Sequence, residues 1–267
     1  MLETTRKIDA KSRFGTSPEV TLHARLATIE RCIAGACVDA GRAPRSSVRL
    51  LPITKTVPAE ILRHAYAAGL RDFAQNKGQQ AQGKIDVLKD LPVRWTMVGH
   101  QQKNKAKQML GCAQEFHALD SMALAVRQNR LLAEQGRVRD VYVQVNTSEE
   151  ASKYGLSPQD LPAFLEALKT CAQLCPRGLM TLAVFSSDRN RVRSCFRVLR
   201  RLRDQSLDAP PEICGLSMGM SGDFEDAIRE GATVVRIGQG IFGQRPTPDG
   251  HYWPRAVATP SPAQPVD

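Results

Sequence analysis

The feature that most constrains the fold is an alternation of strand-like and helix-like segments that repeats eight times along the chain. Each short apolar run is followed by a segment whose apolar residues recur at helical spacing. Such an alternation predicts parallel strands that are connected by helices. The predicted strands span residues 48–53, 71–74, 95–98, 115–119, 138–145, 178–184, 212–216 and 233–237.

A predicted helix precedes the first strand, and others follow the strands. Eight βα units within 267 residues are what a closed (β/α)8 barrel, or TIM barrel, of about 250 residues requires. An open doubly wound sheet is the alternative, but no G-x-G-x-x-G follows an early strand. The predicted helices span residues 20–38, 58–68, 79–89, 104–110, 122–134, 158–170, 189–203 and 224–230.

We therefore predict an α/β fold with one barrel domain over residues 18–245. Residues 1–17 read as a polar N-terminal extension, and the Pro-rich residues 246–267 as a disordered tail. No apolar run is long enough for a transmembrane helix, and the N-terminus has no secretory signal. The seven cysteines include no C-x-x-C pair, which favours reduced thiols, no metal site and a cytoplasmic location.

The net charge of +10 could reflect binding of nucleic acid or of small anions. Seven arginines lie between residues 189 and 203, where apolar residues recur at helical spacing. This pattern favours a solvated basic helix over an RNA-binding patch, because no aromatic residues or nucleic-acid motifs accompany it. We therefore expect neither a nucleic-acid partner nor a membrane partner.

Functional residues of such barrels lie at the carboxyl ends of the strands. Lys55 follows the apolar first strand, so its amine is expected to begin in a dry environment. Desolvation lowers the pKa of an amine and makes it nucleophilic toward an aldehyde. On position alone, a surface lysine at a strand end is the alternative interpretation.

Two glycine-rich segments follow the last two strands, at residues 217–223 and 236–240. The loops after strands seven and eight are the usual phosphate site of this fold, and glycine lets the backbone approach closely. Ordinary glycine turns are the alternative. Arg236, on the eighth strand, needs a partner, either a pyridine nitrogen or a carboxylate. An arginine would leave a pyridine nitrogen unprotonated and weaken the ring as an electron sink.

The histidines are weak signals. His100 lies at a strand end within a polar stretch, and His117 lies inside a strand. No Ser/His/Asp order or carboxylate pair supports hydrolysis.

These motifs together resemble the pyridoxal-phosphate homeostasis protein family, whose members are related to the N-terminal barrel of alanine racemase. The matching stretches are ITKT at 53–56, VGHQQKNK at 98–105, ALDS at 118–121, VNTSEEASKYG at 145–155, RGLMTL at 177–182, LSMGMSGDFEDAI at 216–228 and VRIGQGIFG at 235–243.

The resemblance implies a barrel that binds pyridoxal 5′-phosphate (PLP) as a Schiff base on Lys55. It implies that Arg236 faces the pyridine nitrogen. The implied phosphate ligands are Ser217, Gly238 and Gln239, and the remaining implied cofactor contacts are Asn76, Met180 and Met218.

Three positions depart from the family pattern. Gln75 replaces a glutamate, Thr96 replaces a histidine, and Gln239 replaces a short hydroxyl residue. We therefore expect a divergent member, in which PLP affinity could be reduced.

The leading functional interpretation is a homeostatic PLP carrier that buffers the cofactor or delivers it to PLP-dependent apo-enzymes. The chain has no room for the second domain with which alanine racemase supplies a catalytic tyrosine, so strong turnover is not expected. An amino-acid racemase-like enzyme is the alternative, and an RNA- or protein-interaction scaffold is a third possibility.

Overall fold

The computed structural model describes residues 13–42, 47–102, 106–150, 153–206 and 214–244. Strands and helices alternate through these ranges. The strands are β1 (Arg49–Pro52), β2 (Asp72–Gln75), β3 (Arg94–Val98), β4 (Glu115–Leu119), β5 (Arg139–Gln144), β6 (Leu174–Met180), β7 (Gly215–Ser217) and β8 (Val234–Ile237). The helices are α1 (Pro18–Asp39), α2 (Ala59–Ala67), α3 (Gly78–Val87), α4 (Ala106–Leu110), α5 (Met122–Ala133), α6 (Leu161–Leu168), α7 (Arg189–Gln205), α8 (Phe224–Arg229) and α9 (Gln239–Phe242).

The strands form one parallel sheet in the order β1-β8-β7-β6-β5-β4-β3-β2. A parallel bridge between Ile53 and Ala74 joins β1 to β2 and brings the two ends of the sheet together. The Thr54 amide also donates to the carbonyl of Ala74 at 2.9 Å. The predicted (β/α)8 barrel of the alanine-racemase N-terminal type is thereby confirmed.

Two apolar clusters hold the barrel. The larger one lies between the outward faces of the strands and the surrounding helices. The smaller one includes Leu51, Tyr142 and Met180 from inward-facing strand positions. The two clusters follow from the alternation of side chains along each strand.

The arginine-rich helix α7 packs as its spacing predicts. Val192, Phe196 and Leu199 are buried, and the Asp188 side chain caps the helix by accepting from the amides of residues 190 and 191. Arg189 and Arg193 pair with Asp226 and Glu230 on α8 and its following turn. Part of the basic character therefore serves helix packing.

A network of ion pairs closes the N-terminal end of the barrel. Arg49 and Arg94 both bind the buried Glu115, at 2.6 and 3.0 Å. Asp140 accepts from Arg94 at 3.4 Å and from Arg177 at 2.8 Å. Charged side chains thus fill the N-terminal end of the barrel.

The sixth strand was misplaced by the sequence-based prediction. It runs over Leu174–Met180 rather than residues 178–184. Pro176 lies inside it, at a point where the register with β5 shifts between Val141 and Tyr142. Proline is tolerated at such irregularities, so it did not mark a strand boundary here.

The N-terminal segment contacts the barrel. Within the predicted N-terminal extension, Phe14 is 1% exposed, and Arg13 donates to the carbonyl of Phe242 at 2.6 Å. This part of the extension therefore packs on the barrel. The predicted tail, 246–267, lies outside the described residues. Across the described ranges, no helix is both long and apolar enough to span a membrane.

Candidate functional site

Lys55 lies at the carboxyl end of β1, two residues after the bridge that closes the barrel. Its side chain is half-buried. It lines a small pocket together with residues from the end of β8 and from the N-terminal segment. The lining residues are Arg13, Ile53, Lys55, Thr56, Gly238 and Gln239.

Polar side chains from the β2 strand and the α3 helix hold the turn that carries Lys55. Thr54 is fully buried, and its hydroxyl accepts from the Gln75 amide at 2.5 Å. The Lys84 ammonium donates to the carbonyls of Thr54 and Lys55 at 2.6 and 3.4 Å. Burial lowers the pKa of Lys84 to about 8. Gln75, which departs from the family pattern, therefore positions the turn that carries Lys55. Lys84 supports the same turn, and the sequence analysis did not identify it.

The two glycine-rich segments meet at Ser221. Its hydroxyl oxygen accepts from the backbone amides of Gly238 and Gly240, each at 3.3 Å. Backbone amides that converge on one oxygen are the donor set an anion requires. The two glycine-rich segments therefore meet, and it is the Ser221 hydroxyl, not that of Ser217, that lies against the Gly238 and Gly240 amides.

Glycine is required where the first of these segments turns. Gly219 has a φ of 93°, and a Cβ there would lie 2.7 Å from the Ala227 Cβ and 2.9 Å from the Phe224 Cα. The Gly219 carbonyl also accepts from the Arg236 amide at 2.9 Å. Close packing on α8 therefore fixes the loop between β7 and Ser221.

Arg236 lies inside the barrel, with 4% of its surface exposed. Its guanidinium donates to the Ser217 hydroxyl at 2.8 Å and to the Thr181 carbonyl at 2.7 Å. Burial lowers the pKa of Arg236 to about 10, which keeps it protonated at neutral pH. Among the described residues, the hydrogen-bond partners of the guanidinium are therefore a hydroxyl and a carbonyl oxygen. The carboxylate partner considered from the sequence is not among them.

A hydrogen-bonded chain continues from Arg236 through the barrel interior. The Ser217 hydroxyl lies 2.9 Å from Nδ1 of His117, and Nε2 of His117 contacts Glu115. Arg49 donates to both carboxylate oxygens of Glu115, at 2.9 and 2.6 Å. Hydrogen bonds in the order Arg236–Ser217–His117–Glu115–Arg49 therefore connect the inside of the barrel to the ion pairs at its N-terminal end.

The ends of this chain determine its direction. Arg236 can only donate, so Ser217 accepts from it and donates its own hydrogen to Nδ1 of His117. His117 then donates from Nε2 to Glu115. A neutral His117 fits this arrangement, and burial lowers its pKa, although Glu115 acts in the opposite direction. Burial raises the pKa of Glu115, but the bonds from His117 and Arg49 outweigh this and hold it well below its usual range.

The Glu–His–Ser order resembles that of a hydrolase, but the structure does not support hydrolysis. Ser217 is fully buried, and its oxygen already accepts from Arg236. A nucleophile needs access to its substrate. We assign the chain to the positioning of Arg236.

The remaining predicted cofactor contacts, Asn76, Met180 and Met218, do not all face the barrel interior. Asn76 lies next to Gly99, whose Cβ position would be 3.6 Å from the Asn76 Cβ, and Met180 belongs to the inner cluster. Met218 belongs instead to the outer cluster, so its side chain packs away from the barrel interior. Thr96 is fully buried, and its hydroxyl has no partner among the described residues.

The site's chemistry fits PLP at three points. Paired backbone amides suit a phosphate, a buried guanidinium suits a ring acceptor, and a lysine that shares a pocket with Gly238 suits an aldehyde. No cluster of metal-ligating side chains occurs among the described residues. The donor set therefore favours an organic phosphate with a carbonyl group over a metal ion.

Comparison with known families agrees with this class of site. The family model described as alanine racemase, N-terminal domain, matches residues 41–246. The pyridoxal phosphate homeostasis protein of Pseudomonas aeruginosa is 42% identical over 225 residues, which cover 84% of this chain and 96% of that protein. The human protein of the same name is 36% identical over 224 residues, covering 77% and 82%. The chain belongs to the pyridoxal phosphate homeostasis protein family.

Solved structures show the same relationship. PipY of Synechococcus elongatus PCC7942, solved with PLP bound, is 34% identical with a TM-score of 0.73, and the match covers 83% of this chain and all (100%) of PipY. Alanine racemase of Clostridium difficile 630 has a TM-score of 0.69 at 12% identity, covering 86% of this chain and 58% of the racemase. The likeness to the racemase is one of fold alone.

Proposed function

We propose that this chain binds PLP as a Schiff base on Lys55 and takes part in PLP homeostasis. The observation that carries the proposal is the single pocket that Lys55 shares with Gly238 and Gln239. An amine and one edge of the anion cradle, at Gly238, share this pocket, and they match the aldehyde and the phosphate of PLP. The names of the relatives and the PLP-bound PipY structure support the same ligand.

In this proposal, different residues bind the phosphate and the ring of PLP. The backbone amides of Gly238 and Gly240, together with the Ser221 hydroxyl, bind the phosphate. The Gln239 departure is tolerated because the backbone amides, not the side chain, supply these donors. Arg236 faces the pyridine nitrogen, while Asn76 and Met180 line the ring.

Arg236 supports a carrier role over fast turnover. Its pKa of about 10 keeps the guanidinium a donor at neutral pH, so the pyridine nitrogen stays unprotonated. When bound, PLP supplies an electron-withdrawing ring, and this ring is weaker without the nitrogen proton. We propose that the protein, in the cytoplasm, buffers PLP or delivers it to PLP-dependent apo-enzymes.

Absorbance titration with PLP tests the proposal. We expect wild-type protein to develop the band of a protein-bound Schiff base, and Lys55→Ala to lack it. Lys77→Ala is the matched control, because Lys77 is an exposed lysine beyond the neighbouring strand β2. A band of equal intensity in Lys55→Ala would contradict the assignment.

The carrier role needs a second measurement. Loaded wild-type protein is mixed with an apo-enzyme that requires PLP, and recovery of that enzyme's activity is followed. We expect recovery without PLP accumulating free in solution. Recovery that stops when a scavenger removes free PLP would instead indicate simple dissociation.

A further inference from the structure

A positively charged side chain from outside the strands lies on the Lys55 pocket. Arg13, in the segment that precedes α1, lines this pocket together with Lys55, Gly238 and Gln239. Arg13 also lies outside residues 41–246, which the family model matches. One wall of the pocket is therefore supplied by a part of the chain that the family model does not cover.

Two neighbouring side chains hold the segment that carries Arg13. Phe14 is 1% exposed and belongs to the outer apolar cluster. Arg25 of α1 donates to the Arg13 carbonyl at 3.0 Å and to the Ile241 carbonyl at 3.3 Å. The guanidinium carbon of Arg13 also lies 5.2 Å from the centroid of the Phe14 ring, within the range of a cation–π contact. The segment around Arg13 is therefore packed as part of the fold.

The Arg13 guanidinium joins the two parts of the chain that form the pocket. Its Nε donates to the Phe242 carbonyl at 2.6 Å, and one terminal nitrogen donates at 3.1 Å to the carbonyl of Thr56, the residue after Lys55. The other terminal nitrogen lies 3.5 Å from the Gly243 carbonyl. These carbonyls hold the guanidinium between the turn that carries Lys55 and the end of α9.

Close packing at Gly243 also fixes the place of Arg13. Gly243 has a φ of 75°, and a Cβ there would lie 3.4 Å from Cγ of Arg13 and 3.2 Å from a terminal nitrogen of Arg25. A larger residue would press on both arginines. The absence of a side chain at this position therefore lets Arg13 reach the pocket wall.

The charge of Arg13 suits the phosphate that this pocket is proposed to bind. A guanidinium stays protonated at neutral pH and interacts more strongly with a phosphate than with a neutral group. The Gly238 edge of the anion cradle lies on the same pocket as Arg13. A ligand that has the same ring and aldehyde but no phosphate would gain much less from this charge.

We propose that Arg13 determines specificity for the phosphate, so that the pocket selects PLP over pyridine aldehydes that lack one. The inference rests on the proposed function, in which the aldehyde meets Lys55 and the phosphate meets the Gly238 and Gly240 amides. Arg13 acts through its positive charge, and no bond forms or breaks at it. The segment that precedes α1 thereby becomes part of the ligand site.

The test compares PLP with 5′-deoxypyridoxal, which has the same ring and aldehyde but a methyl group in place of the phosphate-bearing arm. Dissociation constants are measured from the Schiff-base band. Because a hydrogen bond to a charged group contributes about 1.5 kcal/mol or more, Arg13→Gln should raise the dissociation constant of PLP by about 10-fold. The constant for 5′-deoxypyridoxal should stay almost unchanged. Arg13→Lys, which keeps the charge, should recover most of the PLP affinity.

Arg31→Gln is the matched control, because it removes one positive charge at an exposed position on α1. It should bind both ligands as wild type does. If Arg13 only supported the fold, Arg13→Gln would weaken both ligands equally. That result, or an unchanged PLP affinity, would overturn the inference and leave the proposed function standing, provided that wild type shows the band. Absence of the band in wild type would instead contradict the proposed function itself.

A second readout uses the wild-type protein and does not depend on how Arg13→Gln folds. The Nε–H group of Arg13 donates to the Phe242 carbonyl, and its NMR signal can be assigned by its loss in Arg13→Lys. We expect this signal to shift when PLP is added and to stay in place when 5′-deoxypyridoxal is added. A signal that does not respond to PLP, or responds equally to both ligands, would overturn the inference.

Discussion

Substitution by alanine is predicted to have different effects at Ser217 and Ser221. It should lower the stability of the fold at Ser217 and the affinity for PLP at Ser221. Ser217→Ala removes a buried hydroxyl that accepts from Arg236 at 2.8 Å and lies 2.9 Å from His117. It leaves one buried N–H of the Arg236 guanidinium and a buried imidazole nitrogen of His117 without partners, although Arg236 keeps its bond to the Thr181 carbonyl. A buried group left unsatisfied costs about 1–3 kcal/mol, so we expect a loss of about 3 kcal/mol in the free energy of unfolding.

Ser221→Ala should leave stability almost unchanged. Ser221 is half-buried, and water can reach the two amides that its hydroxyl accepts from. Its effect should appear in PLP binding. Loss of one hydrogen bond to a charged phosphate, about 1.5 kcal/mol, corresponds to a dissociation constant raised by about 10-fold.

Urea unfolding and PLP titration of both variants measure the two effects separately. The reasoning requires Ser217→Ala to be the less stable variant and Ser221→Ala to be the weaker PLP binder relative to its stability. If Ser217→Ala were as stable as wild type while losing phosphate-dependent affinity, Ser217 would be the phosphate ligand. The hydrogen bonds from Arg236 to Ser217 and from Ser217 to His117 would then contribute nothing measurable to the free energy of unfolding.

Three further predictions concern stability. Gly219→Ala should lose about 2–3 kcal/mol by thermal or urea unfolding, because its φ is 93° and a Cβ would lie 2.7 Å from the Ala227 Cβ; an unchanged stability would refute the close packing. The pKa of Glu115 lies below its usual 4.5 in the folded state, so its carboxylate stabilises the fold above that pH and this stability is lost as the pH falls below it. Glu115→Gln should therefore lower stability at neutral pH and flatten the acid dependence of unfolding, and an unchanged acid profile would count against the pair. The pKa of Lys84 is lowered from 10.5 to about 8 on folding, so the unfolded state binds more protons between these values and stability should rise with pH across them. Lys84→Met should remove that rise, and a slope equal to that of wild type would show that Lys84 is not the group responsible.

The barrel could be predicted because its evidence is local and repeated. Each strand carries its own apolar run and each helix its own spacing, so an error in one element left the others intact. The sixth strand shows the limit. The sequence analysis began this strand at residue 178, yet the strand begins at Leu174 and includes Pro176, at a register shift that depends on the neighbouring β5.

The site was predictable where a motif identifies the backbone and less so where side chains meet across the barrel. Spacing placed Lys55 and the two glycine segments at one end, but it could not tell which serine faces the amides. Ser217 lies on β7 and points inward to Arg236, whereas Ser221 lies beyond the turn at Gly219.

The histidines illustrate the same limit. His117 and Glu115 are two residues apart on one face of a strand, a signal that the sequence carries. Their link to Ser217 spans 100 residues, and the contact of His100 with Asp120 depends on how neighbouring strands end. Such contacts arise only when the barrel closes.

The central claim is that Lys55 holds PLP, and locating the covalent adduct tests it most directly. Protein mixed with PLP is reduced with borohydride, digested and mapped by mass spectrometry, with Lys77→Ala and Lys55→Ala treated in parallel. We predict one dominant pyridoxyl-phosphate group on the peptide that contains Lys55 in wild type and Lys77→Ala, and none on that peptide in Lys55→Ala. A dominant adduct on any other lysine of the wild-type protein would contradict the account.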